Sequence, residues 1–319
     1  MAEPPAHEPE HTELGALAGQ AGEPGEDGMG TITVVDTATA SVPAAPARKE
    51  GKGFAFWLAV AWLVVVAICA VFAEQLPVAD EVRPNVIDKL ATPSADYPLG
   101  TDGLGRDTLA RLVHGARVSV VVSLSAVGVG MFVGGTLGMI AGYVRGWFET
   151  LLMAAVNVIL AFPGLVLLLV LLAYVGQSLG VISLVIGVLS IPIYTRVARA
   201  NTLAVAQREF VLAAHTMGAN RLRILFREIA PNVIMPVLAF GLVAMGVIIV
   251  LEGALAFLGL SVEAPTPTWG GMIAEGKRHL STDPHVALIP SAAMLLTVLS
   301  LNFVGDVLRR GYDVREANL

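Results

Sequence analysis

One cysteine, Cys69, in 319 residues leaves no intrachain disulfide, and its place inside an apolar run makes it a small packing residue. Charge is also scarce: 14% of the chain is charged and 55% is apolar, with a mean hydropathy of +0.73, which excludes an ordinary soluble globular domain. The six histidines, at 7, 11, 114, 215, 279 and 285, show no HExxH or other close ligand spacing, so no metal site is expected. No GxxxxGK[ST] sequence occurs, which excludes ATP binding through a P-loop. The glycine-rich GTDGLGRDTLARLVHGAR segment lacks that ending and follows no strand pattern. Nothing points to nucleic acid or to a catalytic constellation, and an intramembrane enzyme would need one at membrane depth.

What is present is long uncharged apolar sequence. Phe54 to Ala73, Val118 to Ala141, Leu151 to Val175, Val233 to Leu251 and Val286 to Val304 can each cross about 30 Å of hydrocarbon as a helix. Leu179 to Thr195 is a sixth, shorter window. An all-α membrane protein of six transmembrane helices is therefore expected, with both termini on one side. Residues 1 to 50 carry nine acidic and two basic side chains and no aromatic one, and read as a disordered acidic tail rather than a signal peptide. Residues 51 to 96 hold the first span and the start of an outer loop, and 97 to 319 the remaining five spans.

With the N-terminus in the cytoplasm, 13 of the 20 basic residues lie inside, including the six arginines between Arg196 and Arg227. The positive-inside bias thus places both termini in the cytoplasm of a multi-pass membrane protein. Gly130, Gly134, Gly138 and Gly142, at steps of four, clear one helix face for close approach by another helix, although glycine is in any case frequent in membrane helices. Pro163, Pro192 and Pro236 fall in or beside apolar runs, where they kink helices. Glu252 ends a long apolar run, either facing a pathway or beginning an interfacial helix, and Asn157 is a polar amide within another run.

Residues 212 to 232, LAAHTMGANRLRILFREIAPN, break the apolar pattern with arginine. Leu203, Ala206, Phe210, Ala213, Ala214 and Met217 mark one face of an amphipathic helix over 201 to 217, and Gly218 is a natural stop. Leu222, Leu225, Phe226 and Ile229 suggest a second short helix with Arg223 and Arg227 on another face, closed by Pro231 and Asn232. Periodicity alone leaves two readings open: docking into a partner's groove, or lying on lipid headgroups.

Two alanines, a glycine after three intervening residues and a later Pro-Asn make this stretch similar to the EAA loop of ABC importer permeases, within 199 to 232. The matching residues are Ala213, Ala214, Gly218, Pro231 and Asn232. Leu212 replaces the motif's glutamate, and Glu228 stands where the peptide-importer branch usually has histidine. YPLGTDGLGRDTLARLVHGARVSV, LAFPGLVLLL, EGALAFLGLSVEAPTPTWGGM and NFVGDVLRR are each similar, in family order, to segments of the dipeptide/oligopeptide/nickel permease family. The resemblance implies a type I (MetI-like) permease bundle of the second, C-type subunit, with a cytoplasmic coupling helix. Leu212, Ala213, Ala214, Gly218, Arg223, Pro231 and Asn232 would couple it to one or two ABC ATPase subunits. ATP and Mg²⁺ would sit on those partners and no cofactor on this chain. A homologous permease subunit, giving a heterodimer, and an extracytoplasmic solute-binding protein complete the implied assembly in the bilayer, which would move di- or oligopeptides. The competing reading is an ion-coupled secondary transporter, which usually carries Asp, Glu or His deep in the bundle.

Overall fold

A computed structural model describes residues 53–76 and 80–316, with side chains placed to residue 311. The expected tail over residues 1 to 50 lies outside them. The helices are α1 Phe54–Phe72, α2 Thr108–Val144, α3 Trp147–Ala161, α4 Gly164–Val175, α5 Leu179–Val205, α6 Glu209–Thr216, α7 Arg221–Phe257, α8 Trp269–Gly276 and α9 His285–Glu316. No strand forms among the described residues, where Thr101 and Asp107 make one isolated bridge.

Five of these helices are long and apolar enough to cross a membrane, and six spans result if α3 and α4 count as one. The run from Leu151 to Val175 is not the straight helix its hydropathy suggests. It breaks at Phe162–Pro163 and bends by 83°. Proline cannot donate to the carbonyl one turn back and pushes the preceding residue out of the α region, and Phe162 is extended at ψ 140°.

Three helices make the core. Val122 and Ala126 of α2, Ile182, Ile186 and Tyr194 of α5, and Val233, Val237 and Leu255 of α7 are buried in one cluster. The Tyr194 ring meets Phe240 edge-on at a centroid distance of 5.2 Å. Along α2 the glycines let backbones touch. A Cβ on Gly134 would lie 2.4 Å from the Ile191 carbonyl oxygen, and one on Gly138 would lie 2.3 Å from that of Thr195. Gly130 and Gly142 face Tyr194 and Thr202 as closely, so all four lie against α5. The first of them open a π-helical turn, Gly130–Gly134, within α2.

α1 packs outside this core against α2 and α9, where Trp62 Nε1 donates to Thr297 Oγ1 at 3.0 Å. α3 and α4 are mostly exposed along their length. Two ties hold α3 to α5: Glu149 accepts from Arg199 Nε at 2.7 Å, and Asn157 Oδ1 accepts from Arg196 Nη2 at 2.7 Å.

Candidate functional site

Two functional regions lie at opposite ends of α7, whose 37 residues span about 55 Å. The first is the connection from α5 to α7. The single helix expected over 201 to 217 is divided: α5 ends at Val205, a turn follows, and α6 begins at Glu209. The stripe from Leu203 to Met217 therefore does not form one face. Within α6 the buried side chains are Val211 and Ala214, which join Ile224, Leu225 and Ile229 in the main core. Leu212 and Ala213 face outward.

Gly218 ends α6 at φ +78°, a left-handed conformation that costs glycine little, with open space where a Cβ would be. The Ala219 amide donates back to the Ala214 carbonyl at 3.1 Å, closing the helix end. The next helix does not stop at Pro231 and Asn232, as expected, but runs on as the membrane span. Its ladder widens into a π-helical turn at Ile224–Ile229, just ahead of Pro231, which has no N–H to give. Asn232 Nδ2 donates to the Glu228 carbonyl at 2.6 Å.

The outward surface of this connection is apolar with a basic rim. Met217 is 80% exposed, Leu222 63% and Phe226 66%, and Arg221, Arg223 and Arg227 are exposed beside them. Such a surface can accept the apolar contact and the acidic or carbonyl-lined edge of a partner.

The second region is built around α8. Asp107 caps α2 by accepting from the Leu109 and Ala110 amides. Asp102 Oδ2 accepts from Arg106 Nε at 2.7 Å and lies 3.4 Å from Arg111 Nε. Both arginines reach Glu275 of α8, at 2.8 and 3.2 Å. Trp269 Nε1 donates to the Leu112 carbonyl at 3.0 Å, and a Cβ on Gly270 would lie 2.4 Å from the Gly253 Cα. α8 is thus clamped to both α2 and α7 by charge, hydrogen bond and backbone contact.

Glu252 does not begin a separate helix, because α7 continues to Phe257, and the residue is 0% exposed. Its Oε1 accepts from Ser261 Oγ at 2.7 Å, while Oε2 is buried with no hydrogen-bond partner. Beside it opens a cavity of about 530 Å³ lined by Arg111, Gln177, Ser261, Glu263, Thr268 and Glu275, among others. Sequence reasoning missed Asp102, Glu275 and Ser261. Glu275 meets Arg106 and Arg111 across 169 and 164 residues, which no local pattern carries, while Asp102 and Ser261 bond to Arg106 and Glu252 only four and nine residues away. His279 and His285 lie in this region too, but among the described residues no three His, Cys, Asp or Glu side chains come together as metal ligands would.

Residues 134–316 match the family described as "Binding-protein-dependent transport system inner membrane component". The chain belongs to that family. The permease is 38% identical over 252 residues to a glutathione transport system permease protein of Pectobacterium atrosepticum, a match spanning 79% of this chain and 83% of that one. It is 34% identical over 259 residues to a dipeptide transport system permease protein of Alkalihalophilus pseudofirmus, covering 80% and 85%. A glutathione transport system permease protein of Escherichia coli is 35% identical over 253 residues, covering 79% and 84%. The permease is therefore a membrane component of an ATP-binding cassette importer, in a family whose assemblies imply a binding protein and ATPase subunits. The reading as a self-sufficient ion-coupled transporter falls away.

Proposed function

We propose that the permease carries short peptides or peptide-like solutes inward, as one of two homologous membrane subunits driven by separate ATPases. The relatives' dipeptide and glutathione specificities support the substrate class, since the named solutes share peptide bonds and free carboxylates. Both termini, and with them the α5–α7 connection, lie on the cytoplasmic side, consistent with the arginine distribution. ATP and Mg²⁺ bind the ATPase subunits, because this sequence carries no P-loop.

The observation that carries this reading is the exposed patch of Leu212, Ala213, Met217, Leu222 and Phe226 with its arginine rim on an otherwise anchored connection. Closure of an ATPase pair against α6 moves α5 and α7 together, since Val211 and Ala214 are embedded in the core those helices share. Arg223 and Leu212 act by surface contact, whereas Pro231 and Asn232 shape the start of α7. At the far end the binding protein delivers solute to the surface around α8. There Glu252, through Ser261, positions the loop that walls the cavity.

Ala213→Asp combined with Met217→Asp tests the docking surface, since both side chains are exposed and the fold should persist. Detergent-solubilised complex carrying the pair should lose at least about tenfold of its co-purifying ATPase, with the permease's own melting temperature unchanged. ATPase recovery equal to wild type would remove the docking role.

A further inference from the structure

Arg196 was counted above among the cytoplasmic arginines of the loop, yet it sits within α5, nine residues before that helix ends at Val205, or about 14 Å. Its partner Asn157 lies ten residues into α3, about 15 Å from the same end of the bundle. Three residues further along α5, Arg199 takes the carboxylate of Glu149 at 2.5 Å, near the start of α3. Arg196 instead bonds to a neutral amide eight residues further along α3, about 12 Å from Glu149 in helix rise and inside the apolar run. Its guanidinium thus reaches a partner further from the start of α3 than the one Arg199 takes, which on the proposed orientation is away from the headgroups.

The pair is also exposed, on a surface that is otherwise apolar. Ala154 and Ala161 flank Asn157 on the same face of α3, and Ala200 lies one turn from Arg196; all three are exposed, so small side chains leave room around the guanidinium. An exposed cation beside an apolar run would be costly against hydrocarbon, and intramembrane charges face a bundle interior or a water-filled cavity. Arginine with donors to spare, held by a single neutral acceptor, suits a planar carboxylate, which it can bind through two parallel hydrogen bonds.

We infer that the α3–α5 face around Asn157 and Arg196 lines the aqueous solute pathway in the assembled importer, and that Arg196 is the group there that takes a carboxylate of the passing solute. This rests on the importer reading and on the orientation given above. Asn157 positions the guanidinium, and the two ties from α5 to α3 divide the work: Arg199 fixes the helix and Arg196 faces the solute.

Cysteine labelling in the complete reconstituted complex tests this, with Cys69→Ser removing the native thiol. Cysteine at Ala154→Cys or Ala161→Cys should react with both anionic sulfonatoethyl and cationic trimethylammonioethyl methanethiosulfonate, and faster with the anion. Arg196→Gln should lower the ratio of anionic to cationic rates at least tenfold, and Arg196→Lys should restore part of it. A dipeptide with a free C-terminus should slow the reaction, whereas its C-terminal amide should not. Cysteines unreactive to both reagents would show a face covered by lipid or by the partner subunit and overturn the inference, as would a rate ratio indifferent to Arg196. Failure of the wild-type complex to take up any peptide would count against the substrate class proposed earlier, while the rate ratio would still decide whether this face is wet and anion-selective.

Discussion

At the end of α7 that holds α8, the permease buries its charges: Asp102, Arg106 and Arg111 are each nearly inaccessible and satisfied largely by one another and by Glu275. At the opposite end it exposes its apolar side chains, Met217, Leu222 and Phe226, and leaves arginines beside them in solvent. Each pattern inverts the usual distribution. A buried charge network gives a rigid element its place without outside help, whereas an exposed apolar patch on an anchored turn is finished only by another surface. The end around α8 is held in place by its own contacts, and the end around α6 presents an exposed surface that the proposed reading makes one half of an interface.

Removing one charge at the self-contained end should have the largest effect. Asp102→Asn leaves two nearly buried guanidinium groups with Glu275 as the one carboxylate bridging both, and should cost about 3 kcal/mol, read as a lower melting temperature of the purified permease. A loss below about 1 kcal/mol would break the contrast. At the other end, Leu222→Ser with Phe226→Ser should change stability by no more than about 0.5 kcal/mol, because both side chains are exposed. The same pair should weaken ATPase association severalfold, as measured by titrating ATPase onto permease in nanodiscs.

The smallest effect belongs to a contact outside both networks. Glu74, just beyond α1, accepts a hydrogen bond from Arg117, and that bond and the charge behind it hold the carboxyl below its ordinary value. A depressed folded value means this contribution is present above the unfolded pKa of about 4.5 and is lost as pH falls through the folded one. Arg117→Ala should therefore remove this small contribution at neutral pH, leave stability below the folded value unchanged, and so flatten the acid limb of a stability profile. An unchanged acid limb would show that the exposed pair contributes nothing.

Much of this architecture was legible in the sequence, because span length and helix-packing glycines are local properties. Hydropathy located every membrane-length run, but it records how apolar a stretch is and carries no direction, so only Pro163 signalled a kink there and nothing gave the 83° size of the bend. Proline was read correctly at Pro163 and wrongly at Pro231, where a helix end was expected. Pro163 breaks its run, while Pro192 sits inside α5 and Pro231 and Pro236 inside α7. Tertiary packing decides between those outcomes, and a widened turn before Pro231 absorbs its missing donor. Glu252 reads as a boundary residue because charge usually ends a span; in the fold it is buried and takes a hydrogen bond from Ser261, beyond the helix end. The helix end at Gly218 was legible from the glycine itself, yet which of its neighbours face outward depends on the break at Ala206–Arg208.

The widened turn at Ile224–Ile229 also fixes a phase relation. Each residue in a helix turns the chain by about 100°, so the extra residue held in a π turn offsets the azimuth of everything before it against everything after it. Leu222 and Arg223 are thereby aimed independently of the lipid- and core-facing sides of the span beyond Pro231. A single deletion between 224 and 229 would erase the offset, swinging the contact surface by roughly a quarter turn while every chemical group in it survives.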